Sequence, residues 1–172
     1  PEYSGEAPVS PYSYADWSIP QGDEHVMVGA VKAAGPADEP TRAQTYDADV
    51  CEAAMAELER NAERDQPWAM TVGLFQPHFP YQVSRDWYDM YDGIPIPVPR
   101  DPPDGSRYQD CLPAQFQDSR KFLGLSSDGI SEAEMREARR CYYGMISHMD
   151  NQIGRIIERL DELGMADNTW IV

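Results

Sequence analysis

Apolar residues recur along this chain in three ways, and each predicts a different element. Across residues 131–163, Met135, Ala138, Tyr142, Met145, Met149, Ile153, Ile156, Leu160 and Leu163 follow at steps of three and four. That period is one face of a long α-helix. Its start is marked by Ser131 with Glu134 three residues on, a capping box, and its end by Gly164 at the C′ position. A second helical pattern begins at Tyr46, with Val50, Ala54, Leu58 and Ala62 on one side, Met55 beside them, and Thr45 or Asp47 as the cap. After the breaker "DQP" comes "WAMTVGLF", residues 68–75, a continuous apolar run. A short run bounded by breakers fits a strand covered on both faces, the parallel-sheet type. "DNTWIV", residues 167–172, predicts a turn and a second such strand. Between them "SRDWYDMYD" predicts a short helix capped by Ser84, with Trp87, Met90 and Tyr91 on one side. Helix, turn and buried strand in this order predict an α/β fold: a mostly parallel sheet flanked by helices.

Elsewhere the pattern breaks down. Residues 1–44 are rich in proline and turn clusters, apart from the short apolar run "HVMVGAV", and read as a loop-rich surface segment. "GIPIPVPRDPPDG" is too dense in proline for regular structure and predicts a long extended loop. Residues 107–129 predict no single element. The α/β portion is therefore residues 45–172.

Charge and cysteine usage narrow the function classes. With 14 Lys and Arg against 30 Asp and Glu, the formal net charge is −16, which repels nucleic acid and anionic membrane surfaces. No apolar run approaches the roughly 18 residues of a membrane span. Cys51, Cys111 and Cys141 are far apart, with no spacing that suggests a disulfide framework or zinc site. A chain of 172 residues suits a single domain. It opens on Pro1 and stops inside an apolar run, which reads as an internal piece of a longer polypeptide.

The candidate chemistry centres on His78. It lies just past the predicted strand in "QPHFP", between Pro77 and Pro80. Each proline fixes its own φ and biases the residue before it toward extended geometry. Imidazole titrates near working pH and suits proton transfer, and ligands of open α/β sheets bind beyond strand ends. A histidine that merely caps the strand and bonds a carbonyl fits equally, and the residues alone leave both readings open. "CLPAQ", residues 111–115, comes within one position of a C-x-P-x-R pattern, but Gln115 stands where arginine is required, so Cys111 reads as an unmodified cysteine. "GDEH", residues 22–25, reads as a solvated turn, and His148 as a satisfied or exposed helix histidine. Asp150 and Asn151 read as solvent-facing, and Tyr142 and Tyr143 as packing against the sheet.

Two long segments together resemble the sulfatase family. "PWAMTVGLFQPHFPYQVSRDWYDMYDGIPIPVP" is similar to its stretch of buried strand, "PH-P" turn, aromatic short helix and proline-rich loop. "ARRCYYGMISHMDNQIGRIIERLDELGMADNTWIV" is similar to its long helix, its "L-G-x-x-(D/E)-N-T" turn and the strand that follows. The proline-rich loop leans toward the iduronate-2-sulfatase-like branch, with choline-sulfatase-like enzymes next. The resemblance implies part of an alkaline-phosphatase-like α/β sandwich, the central part of a sulfatase catalytic domain. It implies hydrolysis of a sulfated small molecule or glycan by a formylglycine nucleophile with a divalent metal, usually calcium. It also implies that His78 contacts the sulfate and serves the leaving oxygen. The family's nucleophile motif and metal ligands are not in this chain, so the chain by itself is expected to be inactive. Gln76 stands where related sequences often carry a basic residue, and a neutral amide would weaken the grip on an anion. The family is often exported, which points to a periplasmic or secreted setting. Two other readings stay open: a phosphodiesterase or phosphonate monoester hydrolase of the same superfamily, and a non-catalytic acidic binding module.

Overall fold

The computed structural model describes residues 26–122 and 129–172. "GDEH" therefore lies outside the described residues. The apolar run set apart from the loop-rich residues 1–44 folds as helix α1, Val26–Lys32. The run carries no breaker except Gly29, and the helix packs on a longer helix with Val28 and Ala30 buried. Strand β1, Gly35–Ala37, follows.

Helix α2, Arg42–Ala62, starts four residues earlier than the apolar period suggests. Its cap is Thr41, not Thr45 or Asp47. Thr41 Oγ1 accepts from the Gln44 backbone N–H at 3.3 Å, and the Gln44 side chain accepts from the Thr41 N–H at 3.1 Å. "TRAQ" is thus a capping box. Asp47 consequently lies one turn inside the helix and is fully buried.

The chain then runs extended through residues 68–75, and the buried strand expected there is absent among the described residues. Its residues alternate between exposed and half-buried, and the strand pairing found among the described residues is elsewhere: β1 with β2, Gln82–Ser84. The two strands are parallel, with Pro36 opposite Val83. A strand exists only where a partner receives its N–H and C=O groups, and periodicity cannot report a partner. The same correction applies to residues 169–172, where Trp170 is 95% exposed and no strand forms.

Helix α3, Arg85–Asp89, has Ser84 at its N-cap position, but the serine hydroxyl makes no cap bond because it accepts from Gln44 Nε2 at 2.9 Å. The buried residue of this helix is Tyr88; Met90, expected on the packed side, is 56% exposed. Residues 94–101 form neither helix nor strand. Ile96 is nevertheless buried, and its carbonyl accepts from Arg136 Nη1 at 2.5 Å. A 3₁₀ turn, Tyr108–Cys111, leads into helix α4, Ala114–Phe122.

Helix α5, Glu132–Glu162, organises the rest. Both of its ends match the sequence: the Ser131–Glu134 capping box forms, and Gly164 takes φ +68°. Bonds from Gly164 N to Asp161 O (2.8 Å) and Met165 N to Leu160 O (3.1 Å) make a Schellman ending. The buried stripe is rotated from the apolar one. It runs through Ala138, Cys141, Met145, His148 and Gln152, whereas Tyr142 and Ile153 are exposed. Polar and small residues lie on this face because it meets α1, α2, α3 and both strands. At Gly144 an added Cβ would lie 3.0 Å from Val83 Cγ1 and 3.1 Å from the Trp87 carbonyl oxygen. Val83, Tyr88, Cys141 and Met145 form the core there, with Ala34, Tyr81 and Trp87 against it. Along α2, Cys51 Sγ donates to Gln152 O at 3.4 Å, and Glu52–Arg155 and Glu59–Arg159 pairs rim the contact.

Candidate active site

His78 rides on a turn between the extended segment and β2. Its backbone N–H donates to Phe75 O at 3.2 Å, closing the turn, and Gln82 N donates to Pro80 O at 2.8 Å. The peptide bonds before Pro77 and Pro80 are both cis. The imidazole is exposed and flanked by two aromatic rings, Phe75 at 4.9 Å and Phe79 at 4.2 Å between centroids. Its Nδ1 lies 2.7 Å from the Phe79 carbonyl oxygen. A carbonyl only accepts, so Nδ1 carries the hydrogen, and in the neutral ring Nε2 is the basic nitrogen.

What fixes this turn lies in α2. Both oxygens of Asp47 accept consecutive main-chain N–H groups, Phe75 at 2.6 Å and Gln76 at 3.0 Å. Burial raises the Asp47 pKa above its ordinary value, and these two bonds pull it back down. Past the turn, Gln44 Oε1 accepts from Ser84 N at 2.9 Å. Gln76 is turned inward, 2% exposed, and neither amide atom of its side chain has a hydrogen-bond partner among the described residues.

The remaining flagged residues scatter. Cys111 is exposed and free, 3.2 Å from Ser106 Oγ. His148 is buried: its Nε2 meets Gln152 Nε2 at 3.1 Å, its ring stands edge-on to Trp87 at 5.4 Å, and burial lowers its pKa to about 4. Asp150 and Asn151 face solvent. Tyr142 meets Tyr81 edge-on at 6.2 Å, and Tyr143 lies 5.5 Å from Tyr91. No three His, Cys, Asp or Glu side chains converge as a metal-ligand set among the described residues. Nor is any helix among them long and apolar enough to cross a membrane. Periodicity missed Asp47 and Gln44; the one available signal was "TRAQ", which moves the helix start and turns Asp47 inward.

The family model of the sulfatases matches residues 8–172. The chain belongs to the sulfatase family. It is 31% identical over 156 residues to a choline-sulfatase of Rhizobium meliloti (strain 1021), covering 84% of this chain and 28% of that protein. It is 29% identical over 171 residues to the multifunctional alkaline phosphatase superfamily protein PehA of Trinickia caryophylli, covering 94% and 32%. Against human iduronate 2-sulfatase it is 28% identical over 127 residues, covering 70% and 23%. The chain therefore spans less than a third of the length of these relatives. Family membership implies the alkaline-phosphatase-like α/β fold, and the small parallel sheet with its helices agrees with it. Both branches suggested by the sequence, choline-sulfatase and iduronate 2-sulfatase, are among the relatives.

Proposed function

We propose that this chain is the part of a sulfuric ester hydrolase that presents His78 to the leaving oxygen of a sulfated small molecule or glycan. The observation that carries this reading is the geometry of one side chain: an exposed imidazole with Nδ1 bound to a carbonyl, on a turn whose backbone a buried carboxylate grips. With Nδ1 occupied, Nε2 is the nitrogen that moves a proton. Protonated there, the ring donates to the ester oxygen as the S–O bond breaks and returns to the neutral form. Sulfatases generally depend on a divalent metal. We take it to be calcium, and the nucleophile to be formylglycine. "CLPAQ" lacks the arginine of a formylglycine motif, and we take the nucleophile and metal ligands to lie outside this chain, so the chain alone should not turn over.

The test is His78→Ala in the full-length protein, assayed on an alkyl sulfate and on a nitrophenyl sulfate. Loss of a general acid should lower kcat by ~10²–10⁴-fold on the alkyl ester, and far less on the aryl ester, whose leaving group needs no proton. Equal, small losses on both would overturn the assignment. Similarity to a protein called multifunctional favours a second reading, hydrolysis of a phosphate or phosphonate ester. Turnover of p-nitrophenyl phenylphosphonate, a phosphonate monoester, above that of p-nitrophenyl sulfate would select it.

A further inference from the structure

We propose that Asp47 and Gln44, one turn apart on α2, are positioning residues that hold the two feet of the His78 turn and so aim its imidazole. The inference rests on the reading of His78 given above. On the near side, Asp47 takes the N–H groups of Phe75 and Gln76, the last two residues before Pro77. On the far side, Gln44 forms a two-bond clasp with Ser84: Oε1 accepts from Ser84 N, and Nε2 donates to Ser84 Oγ, both at 2.9 Å. The same Oε1 accepts from the Thr41 N–H, so the helix cap and the far foot share one atom. Residues 77–83 are thus an arc between two clamps mounted on one helix.

Three features set this apart from ordinary packing. Asp47 is wholly buried, and among the described residues its two oxygens go to main-chain donors and to no cation. A buried carboxylate is unfavourable compared with a hydrophobic residue of like size, so at this site it serves geometry better than it serves stability. Consecutive N–H groups bound to one carboxylate fix the direction in which the backbone enters the turn. Finally, the clamps bear on the arc that carries His78, whereas Leu58, three turns further along the same helix face, is equally buried and packs without any polar bond to that arc.

The experiment compares Asp47→Asn, Gln44→Ala and Gln44→Glu with Leu58→Ala in the full-length protein. It measures kcat and KM on the alkyl sulfate, the urea midpoint, and the ring resonances of His78 by NMR. Asp47→Asn should lower kcat at least tenfold with KM within twofold, and shift the His78 resonances. Gln44→Ala should do the same more weakly, and Gln44→Glu, which keeps the acceptor for Ser84 N, should recover most of the loss. Leu58→Ala should lower the urea midpoint yet leave kcat and the ring resonances near wild type. If Asp47→Asn leaves the resonances unchanged, or Leu58→Ala moves kcat and resonances as far, the proposal is overturned. Should Asp47→Asn fail to fold, the Gln44 pair carries the same comparison. Full activity of His78→Ala overturns the functional reading alone, and the ring resonances then still decide whether α2 holds the turn.

Discussion

Two apolar stretches of this chain end in opposite situations. Residues 141–149, "CYYGMISHM", lie in α5 and contribute Cys141, Gly144, Met145 and His148 to the buried face. Residues 68–75, "WAMTVGLF", are the more hydrophobic, yet none of them is buried and no strand pairs with them among the described residues. The reason lies in the backbone. A helix satisfies its own N–H and C=O groups and needs only one covered face, whereas an extended segment depends on neighbours for both. Asp47 grips the segment at its end, where the His78 turn begins. Stability in this chain is therefore concentrated around α5, and the site depends on a few polar bonds beyond it.

The largest test of that division uses pH. Burial lowers the His148 pKa from 6.5 to about 4. Gln152 Oε1 accepts from Arg155 Nη1 at 2.9 Å, which turns the amide –NH2 toward His148 Nε2 and leaves that nitrogen as an acceptor. A proton there would face a donor. Because the folded pKa is the lower one, the unfolded chain binds more protons between these values. Stability from this group is complete above about pH 6.5 and is lost as pH falls toward 4, about 3 kcal/mol in all. Asp47 acts in the opposite sense, since a raised carboxyl pKa gives stability that is lost as pH rises through it. Comparing urea unfolding of the wild type with His148→Gln between pH 4 and 7 isolates the histidine. The variant should show a much shallower slope. Equal slopes would mean that His148 is not neutral and buried in solution.

Close approach at Gly144 ranks next. Two of the nearest atoms to an added Cβ are the Trp87 backbone oxygen and carbon, at 3.1 and 3.2 Å, which cannot swing aside as a side-chain end can. Gly144→Val should push α5 away from β2 and α3 and cost about 2 kcal/mol despite the better helix propensity of valine. The same change at Gly154, where nothing lies within 4 Å, should be neutral or stabilising. A thermal melt of both variants checks the pair.

How much of this was legible follows the same line. The ends of α5 were readable because capping is local: Ser131 with Glu134, and Gly164 at left-handed φ. The start of α2 was equally local, but the apolar period at Val50 and Ala54 drew the boundary inward, past "TRAQ". The face of α5 was misread because His148 and Gln152 count as polar in any hydrophobic pattern, yet Gln152 meets Cys51 of α2, His148 meets Trp87, and Cys141 beside them joins the core with Val83 and Tyr88. His78 stood out through its flanking prolines. Its support did not, because Asp47 reaches Phe75 across 28 positions, and no periodicity records a bond between a helix interior and a distant main chain.

Hydrogen exchange compares the two stretches directly. The amides of Phe75 and Gln76, bound to the Asp47 carboxylate, should exchange at least tenfold more slowly than those of residues 69–74 in the isolated chain. Amides of residues 141–149 should be slower still, near the limit set by global unfolding. Uniform protection across residues 69–76 would show that the extended segment finds a partner in solution, and the contrast would dissolve.

The smallest expected effect lies on the rim of the stable region. Arg159 bridges α2 and α5 through Glu59, with Nη2 at 2.7 Å from Oε1, and also binds Glu162 on its own helix at 2.7 Å. Geometrically this is among the better-formed pairs of the chain, and it joins residues 100 positions apart. Both carboxylates remain largely exposed, however, so water and salt compete for them and ordering the long side chains costs entropy. Arg159→Ala should therefore lower the urea midpoint only slightly, and less at 1 M salt. Leu160→Ala, one residue on and buried, should cost far more, about 2–4 kcal/mol. If the arginine proved the costlier loss, the α2–α5 contact would be held by its charged rim and not by its buried stripe. The polar clamps on His78 would then be one instance of how the whole chain is held together, instead of an arrangement confined to the site.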